Sequence, residues 1–270
     1  MSVTGQEVAS LQLGMQLESM RMASIALSVA GSRHRRAAEP CQDASGWALG
    51  DRAGFAVVAD GAGSASASDL GAQVAVETVL TLLPRWQRRR SPRSLADWLP
   101  LLRAVVRAAR WAVDRAARDR DLALRELACT LVVTVALPTG LAIGQIGDGA
   151  VVIQDAQGNW QTLTQPEQGE FANETRFLQE PGAARSPQLV TWLGDWQSLA
   201  LFSDGLQRLA LQEPDQSPFQ PFFQPLFRFL AQSQDLTVVI DRLRAFLESD
   251  RIAQRTDDDV TLILVQRLAD

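Results

Sequence analysis

Residues 55–63 read Phe-Ala-Val-Val-Ala-Asp-Gly-Ala-Gly: five apolar residues ending on Asp60-Gly61. An aspartate closing a buried strand is held rigidly, and the glycine after it lets the backbone turn sharply or approach a ligand closely. The pattern recurs. Ala142-Ile143-Gly144-Gln145-Ile146 leads to Asp148-Gly149, and Leu199-Ala200-Leu201-Phe202-Ser203 leads to Asp204-Gly205. Asp257-Asp258-Asp259 sits immediately before Val260-Thr261-Leu262-Ile263-Leu264-Val265. Strand ends that meet at one sheet edge would crowd carboxylates together, and divalent cations are the natural compensation. Each piece also has an ordinary reading. Asp148-Gly149 between two strands is a hairpin-turn signal, Asp60 and Asp204 suit helix caps, and the triple aspartate suits a solvated loop.

Around these sites the chain alternates helical and strand patterns. Residues 66–90 read as a helix, as do residues 95–127 in one or two pieces, with Leu101, Leu102, Val105, Val106, Ala109, Ala112 and Val113 on one apolar face. Short strands joined by tight turns follow at 129–136, 141–146, 151–154 and 160–163. Residues 164–187 are polar and irregular, and two helices (222–232 and 236–249) precede the last strand. Residues 1–22 read as a loose helix or a disordered extension. Grouped strands with intervening helices favour an α+β fold over a doubly wound parallel sheet.

Composition narrows the chemistry. Among 270 residues there is one histidine, no tyrosine and no lysine, all 26 basic residues being arginine. P-loop, ordinary kinase and Schiff-base chemistry each need a lysine, and a multi-histidine metal site is excluded. Carboxylates and arginines remain, and hard oxygen ligands suit magnesium, manganese or calcium. The net charge of −5 gives no global case for nucleic acid. Two cysteines are too few for a disulfide framework, and no long uninterrupted apolar run marks a membrane span. The expectation is a cytoplasmic protein with neither nucleic-acid nor membrane partners. The seven tryptophans read as scattered core residues.

In order, Gln42-Asp43-Ala44, Val58-Ala59-Asp60-Gly61-Ala62-Gly63, Ala128-Cys129-Thr130-Leu131, Ile146-Gly147-Asp148-Gly149, Phe202-Ser203-Asp204-Gly205 and Asp258-Asp259-Val260-Thr261 resemble the successive motifs of the PP2C (PPM) phosphatases. Ser32-Arg33-His34, Pro40-Cys41-Gln42-Asp43 and residues 170–175 resemble its bacterial branch more specifically. The resemblance spans 23–268. It implies a four-layer α-β-β-α sandwich of two antiparallel sheets flanked by helices, acting as a metal-dependent serine/threonine protein phosphatase. It implies that Asp60 bridges two Mn2+ or Mg2+ ions beside the Gly61 carbonyl, that Asp204 and Asp258 complete the shell of the first ion, and that Asp43 holds the second directly or through its waters. Asp148, with Asp204, matches a third position. The implied chemistry is attack by a metal-bridging hydroxide on phosphoserine or phosphothreonine of a kinase substrate, with residues 164–187 as a flap. The alternative is a catalytically weak or inactive regulator that binds phosphoproteins; a hydrolase of small phosphate esters is a third reading.

Three departures stand out. Gln42 stands where many eukaryotic relatives place a glutamate, which leaves the second metal with less charge. Ala38 occupies the family's arginine position, leaving Arg33, Arg35 or Arg36, with His34 beside them, to meet the phosphate. Ala62 stands where a histidine general acid is proposed in eukaryotic relatives, so that role falls to water or to a residue such as His34.

Overall fold

Every apolar run quoted above is a strand with both faces buried, and the alternation along each strand builds the layers. In the computed structural model, residues 9–17, 20–164, 175–233 and 235–268 are described. One antiparallel sheet runs β1 (Ala9–Leu17), β2 (Met20–Val29), β13 (Val260–Arg267), β10 (Trp196–Phe202), β7 (Ala150–Asp155), β8 (Trp160–Thr162). The other runs β3 (Ala44–Leu49), β4 (Gly54–Ala59), β5 (Leu131–Leu137), β6 (Gly140–Ile146), β9 (Gln188–Leu193). A small ribbon pairs β11 (Leu211–Gln212) with β12 (Ser217–Pro218).

Period-two alternation sends Ala56 and Val58 of β4, Leu199 and Leu201 of β10, and Ile263 and Val265 of β13 into the core between the sheets. The opposite faces bury under helices. Phe55, Val57 and Ala59 pack with α2 (Ser68–Arg90) and α3 (Leu95–Arg118). Ala200, Phe202, Leu262 and Leu264 pack with α5 (Gln220–Gln232) and α6 (Leu236–Leu247). The result is the expected four-layer sandwich. Helix α3 starts as its sequence dictates: Ser94 and Asp97 form a reciprocal capping box. Short helices α1 (Ser32–Ala37), α4 (Gln207–Ala210) and α7 (Asp250–Ala253) lie in the connections.

Several sequence expectations change. Ala9–Leu17 form an edge strand, not a loose helix, because they pair antiparallel with β2 from Ala9↔Leu27 to Leu17↔Met20. Helix α1 and strand β3 are additions to the reading. Trp98 and Trp196 are buried, but Trp111 is 60% exposed and is not core. Residues 165–174 of the expected flap lie outside the described residues. Among the described residues no helix is long and apolar enough to cross a membrane.

Candidate metal centre

Strand register brings the aspartates to one end of the sandwich. In the β3–β4–β5–β6 sheet, Ala44 pairs with Ala59, Val58 with Val132, and Leu131 with Ile146. The residues just outside these pairs are Asp43, Asp60, Thr130 and the Gly147-Asp148-Gly149 turn. In the other sheet Val260 pairs with Val29, Phe202 with Leu262, and Ala150 with Phe202. That edge contributes Asp204 and Asp258. Strands β6 and β7 lie in different sheets, so Asp148-Gly149 is a crossing between layers and the hairpin reading is corrected. The short apolar runs on either side look the same in both cases; only sheet membership separates them.

Each carboxylate is positioned by neighbours from distant segments. Asp60 is clamped through its backbone: its N–H donates to Thr130 Oγ1 at 3.0 Å, and the Thr130 N–H donates to the Asp60 carbonyl at 2.8 Å. Asp43 is buried and accepts from Ser203 Oγ (2.8 Å) and Thr261 Oγ1 (2.7 Å) through Oδ2. Asp148 Oδ2 accepts from Thr175 Oγ1 at 2.6 Å, and its carbonyl accepts from Gln207 Nε2. Gln145 Nε2 donates to the carbonyls of Gly147 and Gly149, each at 2.9 Å, and fixes the turn.

The three successive aspartates separate into three environments. Asp257 is exposed. The Asp258 side chain is 48% exposed and lies 3.9 Å from Arg33 Nη2. Asp259 is buried, with Oδ1 accepting from Gly31 N and His34 Nδ1 (both 2.7 Å) and Oδ2 from Gln42 N (2.6 Å). Glycine is required on both sides of this loop. A Cβ on Gly31 would strike the Asp258 backbone, and one on Gly205 would strike the Asp259 carbonyl oxygen. Asp259 therefore ties α1, the Gln42 segment and β13 together. Its role escaped the sequence reading, which singled out Asp258.

The phosphate-facing group also needs correction. His34 is buried, with Nδ1 donating to Asp259, so it does not face the carboxylate cluster from solvent. The Arg35 guanidinium donates to the Ala30 carbonyl, and Arg36 Nη1 donates to Ser32 Oγ at 3.3 Å. Of the three arginines, Arg33 alone extends toward Asp258, passing against Gly63.

Burial and mutual repulsion raise the proton affinity of the cluster. Burial first, then Asp43 and Asp204, pushes Asp60 well above the usual carboxylate range. Burial, aided by Asp259 and opposed by the Thr261 and Ser203 hydroxyls, pushes Asp43 up to about 8. Burial and then Asp148 push Asp204 up to about 6, and Asp60 and Asp204 lie within hydrogen-bonding reach of each other. Burial also raises Asp148 against the lowering Thr175 bond. Asp148 Oδ1 and Asp204 Oδ1 are buried with no hydrogen-bond partner. Buried carboxylate oxygens left unpaired in an acidic cluster fit cation ligands. Among the described residues no three such groups already close around a single point, so the ligand set is open, not a preformed cage.

The protein phosphatase 2C family model matches residues 30–248. Serine/threonine-protein phosphatase 3 of Escherichia coli (strain K12) is 37% identical over 244 residues, covering 88% of this chain and 95% of that protein. Among solved structures, the serine/threonine phosphatase Stp1 from Staphylococcus aureus superposes with a TM-score of 0.62 at 14% identity, over 95% of this chain and 97% of that one. RsbX, solved in complex with magnesium, superposes with a TM-score of 0.56 at 13% identity, over 96% of this chain and 100% of that one. These two structures speak to the fold alone. The family match and the E. coli relative, added to the ordered aspartates at one end of a four-layer sandwich, place the chain in the protein phosphatase 2C family.

Proposed function

We propose that this chain removes phosphate from phosphoserine and phosphothreonine in proteins, with divalent cations held by Asp43, Asp60, Asp148, Asp204 and Asp258. The carrying observation is the pair of buried, partnerless oxygens on Asp148 and Asp204, inside a cluster whose members raise one another's proton affinity. Asp60 and the Gly61 carbonyl, together with Asp204, Asp258 and Asp43, would hold these ions. Asp148 and Asp204 would hold a further one. Hard carboxylate oxygens suit Mn2+ or Mg2+. When bound, such ions supply Lewis acidity at phosphorus and lower the pKa of water, so that hydroxide is available near neutral pH.

The chain's own residues orient the reaction. Arg33, half-exposed and close to Asp258, holds the phosphoryl group against the carboxylate edge. Ser203 and Thr261 fix the Asp43 carboxyl, and Thr175 fixes Asp148. Asp259 locks the segment that carries Arg33. Ala62 has no proton to give and His34 is buried, so solvent protonates the leaving oxygen. The substrates are phosphoproteins made by a serine/threonine kinase. Two free cysteines, one of them buried, suit the reducing cytoplasm.

The test is mutational. Asp60→Asn abolishes turnover of a phosphothreonine peptide, and Asp204→Asn is nearly as severe, both without loss of the cooperative thermal transition. Wild-type turnover in either folded variant would overturn the assignment.

A further inference from the structure

A cavity of about 400 Å3 opens beside the carboxylate cluster, with Asp204 and Asp258 in its lining. Arg208 and Arg255 line it as well, and Arg33 does not. Arg208 projects from α4, four residues after Asp204; Arg255 follows α7 and leads into the Asp257–Asp259 loop. Both arginines are exposed, and among the described residues neither guanidinium has a hydrogen bond or ion pair. Asp257 is the remaining carboxylate of the lining. Once cations neutralise Asp204 and Asp258, the two guanidinium groups outnumber it. The cavity is roomy enough for a side chain in addition to the phosphoryl group, since small-ligand pockets start at about 300 Å3.

We infer that Arg208 and Arg255 form a recognition site for a second anionic group on the substrate, a carboxylate or another phosphate flanking the phosphorylated residue. The inference rests on the phosphatase reading and deepens it by naming the substrate class: phosphopeptides with acidic flanks. An exposed, unpaired guanidinium in this setting suits either anion, because its planar donor fork matches carboxylate and phosphate alike. Each exposed charge pair of this kind shifts an equilibrium by roughly 1.5- to 5-fold.

The experiment compares kcat/KM in Mn2+ for matched phosphothreonine peptides. Their flanking positions carry alanine, aspartate or a second phosphothreonine, scanned on both sides of the scissile phosphate. The expected result is a preference of roughly 3- to 20-fold for at least one anionic placement over alanine. That preference falls toward one in Arg208→Gln/Arg255→Gln, partly survives in Arg208→Lys/Arg255→Lys, and weakens for the wild type in 0.5 M NaCl. The aspartate and phosphothreonine arms decide which anion the site prefers. Robust turnover with equal kcat/KM for all peptides, or a preference unchanged in the double glutamine variant, overturns the inference while leaving the phosphatase reading intact. Wild-type protein that turns over no phosphopeptide at all overturns both. Should the glutamine variant fail to fold, the wild-type preference and its salt dependence still decide the matter.

Discussion

Three adjacent aspartates should behave as three different residues when each is changed to asparagine. Asp259 accepts hydrogen bonds of 2.7, 2.7 and 2.6 Å from Gly31, His34 and Gln42 while buried. Asparagine keeps one acceptor and turns an N–H2 toward at least one of these donors. Loss of one charge-assisted bond, with a buried N–H left facing another donor, costs about 3 kcal/mol. For a domain of this size 1 kcal/mol shifts the melting temperature by about 2–4 °C, so Asp259→Asn should melt about 6–12 °C below wild type. Asp258 is half-exposed and carries no such load, so Asp258→Asn should melt within about 2 °C of wild type and lose most turnover. Exposed Asp257 should tolerate asparagine on both counts, within about 0.5 kcal/mol. The assay is differential scanning calorimetry alongside phosphate release from a phosphothreonine peptide. An Asp259→Asn protein with wild-type melting, or a lethal Asp257→Asn beside a silent Asp258→Asn, would refute the assignment of this loop.

Asp148→Asn should keep its melting temperature, because asparagine still accepts from Thr175, yet turn over more slowly; added Mn2+ should partly restore the rate, and wild-type kinetics would count against a ligand role. Arg33→Ala should raise KM for phosphopeptides with the fold intact, whereas Arg35→Gln and Arg36→Gln should stay near wild type; equal effects at all three would contradict the orientation of α1. The metal-free protein should lose stability as pH rises. Asp43 (about 8) and Asp204 (about 6) lie above their unfolded value, so the folded state binds more protons above pH 4. Their stabilisation is present in full below about pH 4 and is lost as pH climbs through 6 and then 8. Calorimetry from pH 5 to 8.5 should show a falling melting temperature that saturating Mn2+ flattens; a metal-free melting temperature that rises with pH over that range would contradict it.

The layers were legible in the sequence because both faces of the central strands are buried, so 55–59 is apolar throughout and 260–265 is apolar apart from Thr261. Strand β3 was not, since Ser45 and Gly46 interrupt the apolar run of Ala-Ser-Gly-Trp-Ala-Leu. Helix α1, six residues rich in arginine, has no apolar period to detect. At the site, the strand-end aspartates announced themselves by position. The turn reading of Asp148 failed because neighbouring apolar runs do not reveal whether their strands share a sheet. Asp259 was silent for a different reason: its partners lie 217, 225 and 228 residues away. The same long-range geometry separates Arg33 from Arg35 and Arg36, which differ in sequence only by a step along one short helix.

The most direct test of the carboxylate cluster is phosphate release from a phosphothreonine peptide by wild-type protein stripped with excess chelator, dialysed extensively and titrated with Mn2+ or Mg2+. Turnover should fall to background after stripping and recover as the metal enters the millimolar range, more steeply for wild type than for Asp148→Asn. Full turnover in excess chelator would contradict a metal role for the cluster.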